Sequence, residues 1–219
     1  MDYEFKDPLA LARVVRIALM AWLLVSVCYG LSAAFSIVEI GRYQQGGATV
    51  QDLEIVDQVS RAVAIPMLLV NLVTIVLVAR WIYRVNKNAH TLSHGMTMTP
   101  GWNIGFFFIP FANLWKPFEG IRQTWRASLS PSDPYEAPLP GWITLWWISW
   151  IVSTILNNAS FRISLRANTL DQILLAEWLD AICTPVDLLA GILLLQLVAR
   201  LSQIQHDAND AEAHQAVFE

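Results

Sequence analysis

The chain has 219 residues, of which 55% are hydrophobic and only 15% charged, with ten tryptophans and a formal net charge of −4. A soluble domain of this size covers its apolar interior with far more polar surface, so lipid must be the solvent for much of this one. The small acidic balance contains no basic block, which argues against a nucleic-acid partner and against a polybasic membrane-surface arm.

In chain order, four apolar runs reach the length of roughly 20 residues that an α-helix needs to cross the hydrocarbon core. They cover about residues 17–38, 62–82, 142–158 and 179–198. Within the first, Leu31-Ser32-Ala33-Ala34 resembles a signal-peptide cleavage site, but Asp2, Glu4 and Asp7 oppose a cationic leader. The first run is therefore read as a retained helix. After it, Thr49 to Arg61 places Val50, Leu53, Val56 and Val59 roughly on one face, so the second helix is expected to begin outside the membrane. Thr49, and likewise Thr169 before the fourth run, precedes an acidic residue in a first turn, as helix N-caps do.

Between the second and third runs lies WNIGFFFIPFANLW, Trp102 to Trp115, too short to span comfortably. Pro110 removes a backbone donor and disfavours helix at Ile109, so the segment should break there. Broken backbone survives in lipid only where protein or trapped water satisfies it, which makes 102–115 a re-entrant or interfacial segment. Asn103 and Asn113 are placed to cap its broken ends, with Trp102 and Trp115 at its edges. Residues 117–127 follow as an interfacial helix, with Phe118, Ile121 and Trp125 recurring on one face.

Charge placement favours this choice. With 102–115 re-entrant, the cytoplasmic basic residues are Lys6, Arg13, Arg16, Arg80, Arg84, Lys87, Lys116, Arg122, Arg126 and Arg200, which leaves four outside. If the segment spans instead, the split falls to eight against six. Four spans with both termini cytoplasmic is the better reading.

Sliding the chain against itself by 120 residues yields ten identities without a gap across Leu19 to Ala89. They include Trp22 with Trp142, Arg42 with Arg162, and Leu77-Val78-Ala79-Arg80 with Leu197-Val198-Ala199-Arg200. Pro66 and Pro185, read as helix breaks, fall one position out of register. The expected architecture is a single all-α integral membrane domain over 1–219, with four transmembrane helices arranged as two parallel-repeat hairpins around the proline-broken segment.

The stretch from Arg84 to Ser128 carries Asn88-Ala89, Pro100-Gly101-Trp102, an aromatic run into Ile109 to Leu114, Pro117, and Trp125 to Ser128. This pattern resembles the signature of a bacterial family catalogued as domain of unknown function 4328, although the expected Leu-Gly after Asn-Ala is degraded to Leu92-Ser93-His94-Gly95. The resemblance implies a multi-pass protein of the bacterial cytoplasmic, or inner, membrane and names no activity.

No residue pattern marks a catalytic centre, a cofactor site or a metal site. His90 and His94 stand at i and i+4, but no carboxylate or cysteine clusters with them and Gly95 ends any helix. Cys28 and Cys183 lie inside apolar runs and read as packing. Asp187 is different. Counted from Trp178, it lies nine residues into the fourth run, about 13 Å at a rise of ~1.5 Å per residue. An acid near the bilayer midplane costs several kcal/mol unless paired, which makes it a candidate intramembrane site by default. Asn71 and Ser26 are its expected neighbours, with Pro185 loosening the helix beside it. Asp187 as hydrogen-bonding glue and Asp187 in an ion or proton pathway both stay open. Correspondingly, two functions are expected: a non-enzymatic scaffold or regulatory subunit of a membrane complex, or a small conduit or carrier for an ion, proton or small molecule. The partners expected are the lipid bilayer and a membrane protein or further copies of the chain.

Overall fold

The computed structural model describes residues 3–218, with side chains through Ala211. Its regular elements are α1 (Leu9–Gln44), α2 (Val50–Leu92), α3 (Pro100–Gly105), α4 (Lys116–Leu129), α5 (Gly141–Ser164) and α6 (Leu170–Phe218). Two short 3-10 turns, Phe106–Phe108 and Ala112–Leu114, separate α3 from α4, and no strand occurs among the described residues.

Three of these helices, α1, α2 and α6, are long and apolar enough to cross a membrane. Their 36, 43 and 49 residues rise about 54, 65 and 74 Å at ~1.5 Å each, about twice the thickness of hydrocarbon. The apolar runs in the sequence are therefore the middles of longer helices. Ile65, Leu68, Leu69, Leu72, Val73, Ile75 and Val76 on α2 are all more than half exposed. Such a face would aggregate in water, and lipid is the solvent that suits it.

Local chemistry sets the helix ends. The Thr49 hydroxyl accepts from the Asp52 N–H at 3.4 Å while the Asp52 carboxylate accepts from the Thr49 N–H at 2.7 Å, a reciprocal cap that starts α2. The Thr169 hydroxyl likewise accepts from the Gln172 N–H at 3.3 Å and starts α6. Two expected breaks do not occur: α2 continues through Pro66 and α6 through Pro185. A proline forfeits one intrahelical bond, a local loss that neighbouring groups in a membrane helix make tolerable. Beside Pro185, the Thr184 hydroxyl donates to the Asp180 carbonyl at 2.8 Å.

The break at Pro110 does occur. Ile109 is extended (φ −97°, ψ 117°), as a residue before proline must be. Phe111 follows at φ 65°, ψ −49°, and the Ala112 N–H donates to the Pro110 carbonyl at 2.8 Å, closing a γ-turn of the strained, positive-φ kind.

The contacts sort the chain into two compact units. One comprises Met1–Ala18, Thr74–Thr144 and Leu194–Glu219. Its core is built on Val15, Trp81, Val85, Ala89, Ile121, Ile143, Leu197 and Leu201, each fully buried. The other comprises Leu19–Val73 and Leu145–Leu193. There α1 and α6 approach closely at small residues: a Cβ on Gly30 would lie 2.6 Å from Thr184 Cγ2, and one on Gly191 2.7 Å from Trp22 Cζ3. Small residues at a helix crossing let backbones pack tightly where lipid offers no hydrophobic drive.

Candidate functional site

Asp187 belongs to the second unit. Its carboxylate accepts from Ser153 Oγ and from Asn157 Nδ2 (3.2 Å), both on α5, and Cys183 Sγ lies 3.4 Å away one turn back on α6. The Cys183 thiol is also 3.7 Å from the Ser153 carbonyl, which ties the four residues into one cluster. The expected neighbours are elsewhere. Ser26 is buried and donates to the Trp22 carbonyl of its own helix at 2.8 Å, with Met67 Sδ 4.0 Å away, and Asn71 is half-buried on α2. The rotational phase of each helix, which depth along the sequence does not give, makes α5 the partner of Asp187. Asp187 itself is half-buried, while Asn157 and its neighbour Asn158 are exposed on the surface of α5.

A second polar stripe runs along α6 towards its N-terminus. Tyr29 Oη donates to Asp180 Oδ2 at 2.8 Å, and Ser36 Oγ lies 3.4 Å from Ser60 Oγ. Glu177, Asp180, Thr184 and Asp187 recur at spacings of three and four, one face of a helix.

The first unit holds a polar core that the sequence did not announce. Gln205, fully buried, donates through Nε2 to the Val85 carbonyl (2.7 Å) and to Ser128 Oγ (2.9 Å), and accepts from Asn88 Nδ2 (3.0 Å). Asn88 also pins the N-terminal segment: its Oδ1 accepts from the Lys6 N–H at 3.1 Å and its Nδ2 donates to the Lys6 carbonyl at 2.9 Å. Asn86 Nδ2 donates to Thr124 Oγ1 at 3.0 Å, and Trp81 Nε1 donates to Ser202 Oγ at 2.9 Å. Buried amides bonded in this way fix helix register, because a slipped helix would break these bonds, and of the three only Asn86 keeps a buried oxygen, Oδ1, without a partner.

The central segment departs from its expected roles at three residues. Asn103 is not a cap: Thr99 caps α3, its hydroxyl accepting from the Trp102 N–H ahead of Pro100 in the first turn. Asn103 lies fully buried over Gly120, where a Cβ would stand 2.0 Å from Asn103 Oδ1, and neither of its side-chain polar atoms has a partner. Asn113 sits half-buried in the 3-10 turn before α4, its N–H donating to the Ile109 carbonyl at 3.0 Å. Trp125 is buried edge-on against Trp142 at 5.6 Å, because α4 turns its Ile121 and Trp125 face into protein. Trp102 and Trp115 are more than half exposed, and Phe108 and Phe111 more than three-quarters.

His90 Nε2 lies 3.1 Å from the Met98 carbonyl, and His94 falls beyond the end of α2, so the two do not share a helix face. No group of three or more potential metal ligands occurs among the described residues.

A helical chain with three helices long and apolar enough to cross a membrane marks a helical membrane protein. The profile of the family described as Domain of unknown function (DUF4328) matches residues 44–203, and the chain belongs to that family. No curated protein and no solved structure matches it. The signature residues that carry the family resemblance divide: Asn88, Ala89, Pro100, Pro117, Trp125, Ala127 and Ser128 are buried in the first unit, whereas Gly101, Trp102, Ile109, Pro110, Phe111 and Leu114 are exposed. The buried ones serve packing and register.

Proposed function

We propose that the chain is a four-span protein of a bacterial inner membrane, with both termini cytoplasmic, that acts as a scaffold or regulatory subunit of a membrane complex. The fourth span is α5, whose 24 residues rise about 36 Å. Its mean hydropathy is lowered by its tryptophans and by Asn157 and Asn158 near its outer end. The Trp102 to Trp115 segment lies in the cytoplasmic interface, a reading supported by its broken backbone and exposed aromatics. The two hairpins are read as a duplication. At the 120-residue offset of the repeat, Gln205 bonds the carbonyl of Val85, its own repeat equivalent, as residues beside a pseudo-two-fold axis do.

The observation that carries the scaffold reading is the surface around Asn157. Asp187 is held by its own bundle through Ser153 and Asn157, and Asn158 Nδ2 donates to the Thr154 carbonyl of its own helix at 2.9 Å, yet Asn157 and Asn158 remain exposed side by side on α5. Exposed amides on a membrane-facing helix are costly, and a second protein's helix can supply their remaining hydrogen bonds. Stoichiometric co-purification from native membranes tests this. A partner retained by the wild type and released by Asn158→Leu supports the proposal, and a monodisperse homo-oligomer indifferent to Asn158→Leu contradicts it.

A conduit or carrier is the second reading, favoured by one observation: the acids Glu177, Asp180 and Asp187 share a face of α6. Under it, Asp187→Asn abolishes transport in proteoliposomes without loss of fold.

A further inference from the structure

In the first unit, a cleft of about 200 Å³ opens beside α4, lined among others by Arg122, Arg126, Gln123, Thr97 and Tyr135. A second, of about 370 Å³, shares Thr97, Glu119 and Gln123 with it and is walled by Trp102, Phe106 and Lys116. The shared residues make the two a continuous groove with a cationic end and an aromatic end.

The cations are unequally engaged. Arg122 pairs with Glu119 at 2.7 Å, and that guanidinium holds the Glu119 carboxyl below its ordinary range, so the one acid in the groove is already neutralised. Gln123 Nε2 holds the other Glu119 oxygen at 3.2 Å, while Gln123 Oε1 accepts from the N–H groups of Thr97 and Met98, fixing the loop that forms the far wall. Arg126 is half-buried, makes no ion pair among the described residues, and its Nε is a buried donor with no acceptor. A buried guanidinium N–H without an acceptor is costly, and an anion seated against the half-buried group offsets that cost.

We propose that this groove binds the anionic phosphate headgroup of a membrane lipid, with Arg126 and Arg122 on the phosphate and the Trp102 and Phe106 wall against the start of the acyl chains. Guanidinium groups suit phosphate because their planar N–H forks donate in pairs. Lys116 adds a third positive charge at the aromatic end, and Phe108 and Phe111, between Phe106 and Lys116 in the chain, are exposed. The assignment rests on the interfacial reading of Trp102 to Trp115.

The test uses the full chain in neutral detergent, with its melting temperature read against added phosphatidylglycerol, phosphatidylcholine or inorganic phosphate. Phosphatidylglycerol should raise the melting temperature of the wild type clearly more than phosphatidylcholine does. In Arg126→Gln the lipid-free protein should melt as before or higher, since no ion pair is lost. Its apparent affinity for phosphatidylglycerol should fall about tenfold or more, the factor expected for one charge-assisted contact. Arg126→Lys, which keeps the charge, should retain part of the effect. An undiminished phosphatidylglycerol response in Arg126→Gln overturns the site, and full stabilisation by inorganic phosphate alone overturns the lipid headgroup as its occupant. A probe at Phe108→Cys, read with water-phase and lipid-phase quenchers, separately tests the interfacial placement on which the assignment rests.

Discussion

Replacing Gln205 by leucine removes the centre of the buried amide network while nearly conserving volume. Three hydrogen bonds disappear. The Val85 carbonyl keeps its intrahelical role and Ser128 Oγ keeps its bond to the Thr124 carbonyl, so each loses one bond worth about 0.5–1.5 kcal/mol. One N–H of Asn88 is left buried and unpaired, at about 1–3 kcal/mol. The apolar burial of leucine offsets part of the sum, and Gln205→Leu should cost about 2–4 kcal/mol. Reversible unfolding in mixed detergent micelles, followed by tryptophan fluorescence, measures it. Adding Asn88→Leu removes the orphaned donor, so the double variant should be less destabilised than the two singles together by about 1–3 kcal/mol. A Gln205→Leu loss below ~1 kcal/mol, or strict additivity, would refute the reasoning.

At the α3 and α4 contact, Gly120→Ala should destabilise by about 1–3 kcal/mol, because its Cβ meets Asn103 Oδ1, and Gly120→Ala with Asn103→Ala should recover most of the loss in the same unfolding assay. Asp187→Asn keeps an acceptor for Ser153 and Asn157 and should shift stability by less than ~1 kcal/mol, whereas Asp187→Leu strands the buried Ser153 hydroxyl and should cost about 1–3 kcal/mol. Phe111→Gly should relieve the positive-φ strain and stabilise the detergent-solubilised protein by about 1 kcal/mol, measured as a raised unfolding midpoint.

Much of the architecture was legible because lipid imposes simple rules. Apolar run length located the middles of α1, α2 and α6, Thr49 and Thr169 marked two helix starts, and Pro110 marked a break. Proline was a poorer guide inside α2 and α6, where the chemistry that breaks a short interfacial segment at Pro110 only removes one bond from a long helix at Pro66 and Pro185. Depth along the fourth apolar run singles out Asp187 but does not name its partners. Ser153 and Asn157 are chosen by the rotation of α5, which a continuous apolar run does not encode. The amides at Asn86, Asn88 and Gln205 lie just beyond the apolar runs, where polar residues read as a solvated face. Only the fold brings them into one interior. Trp125 misled in the opposite direction, since a tryptophan beside a membrane segment suits an interface and a core equally well.

The account depends most on which side of the membrane the chain presents its central loops. In a background of Cys28→Ser and Cys183→Ala, single cysteines at Ser132 and Gln45, both exposed positions, can be labelled in intact cells with a membrane-impermeant maleimide. The account predicts labelling at Gln45 from outside and at Ser132 only after the membrane is opened. Labelling of Ser132 from outside would mean that Trp102 to Trp115 crosses the bilayer, contradicting the four-span topology and the interfacial lipid groove together.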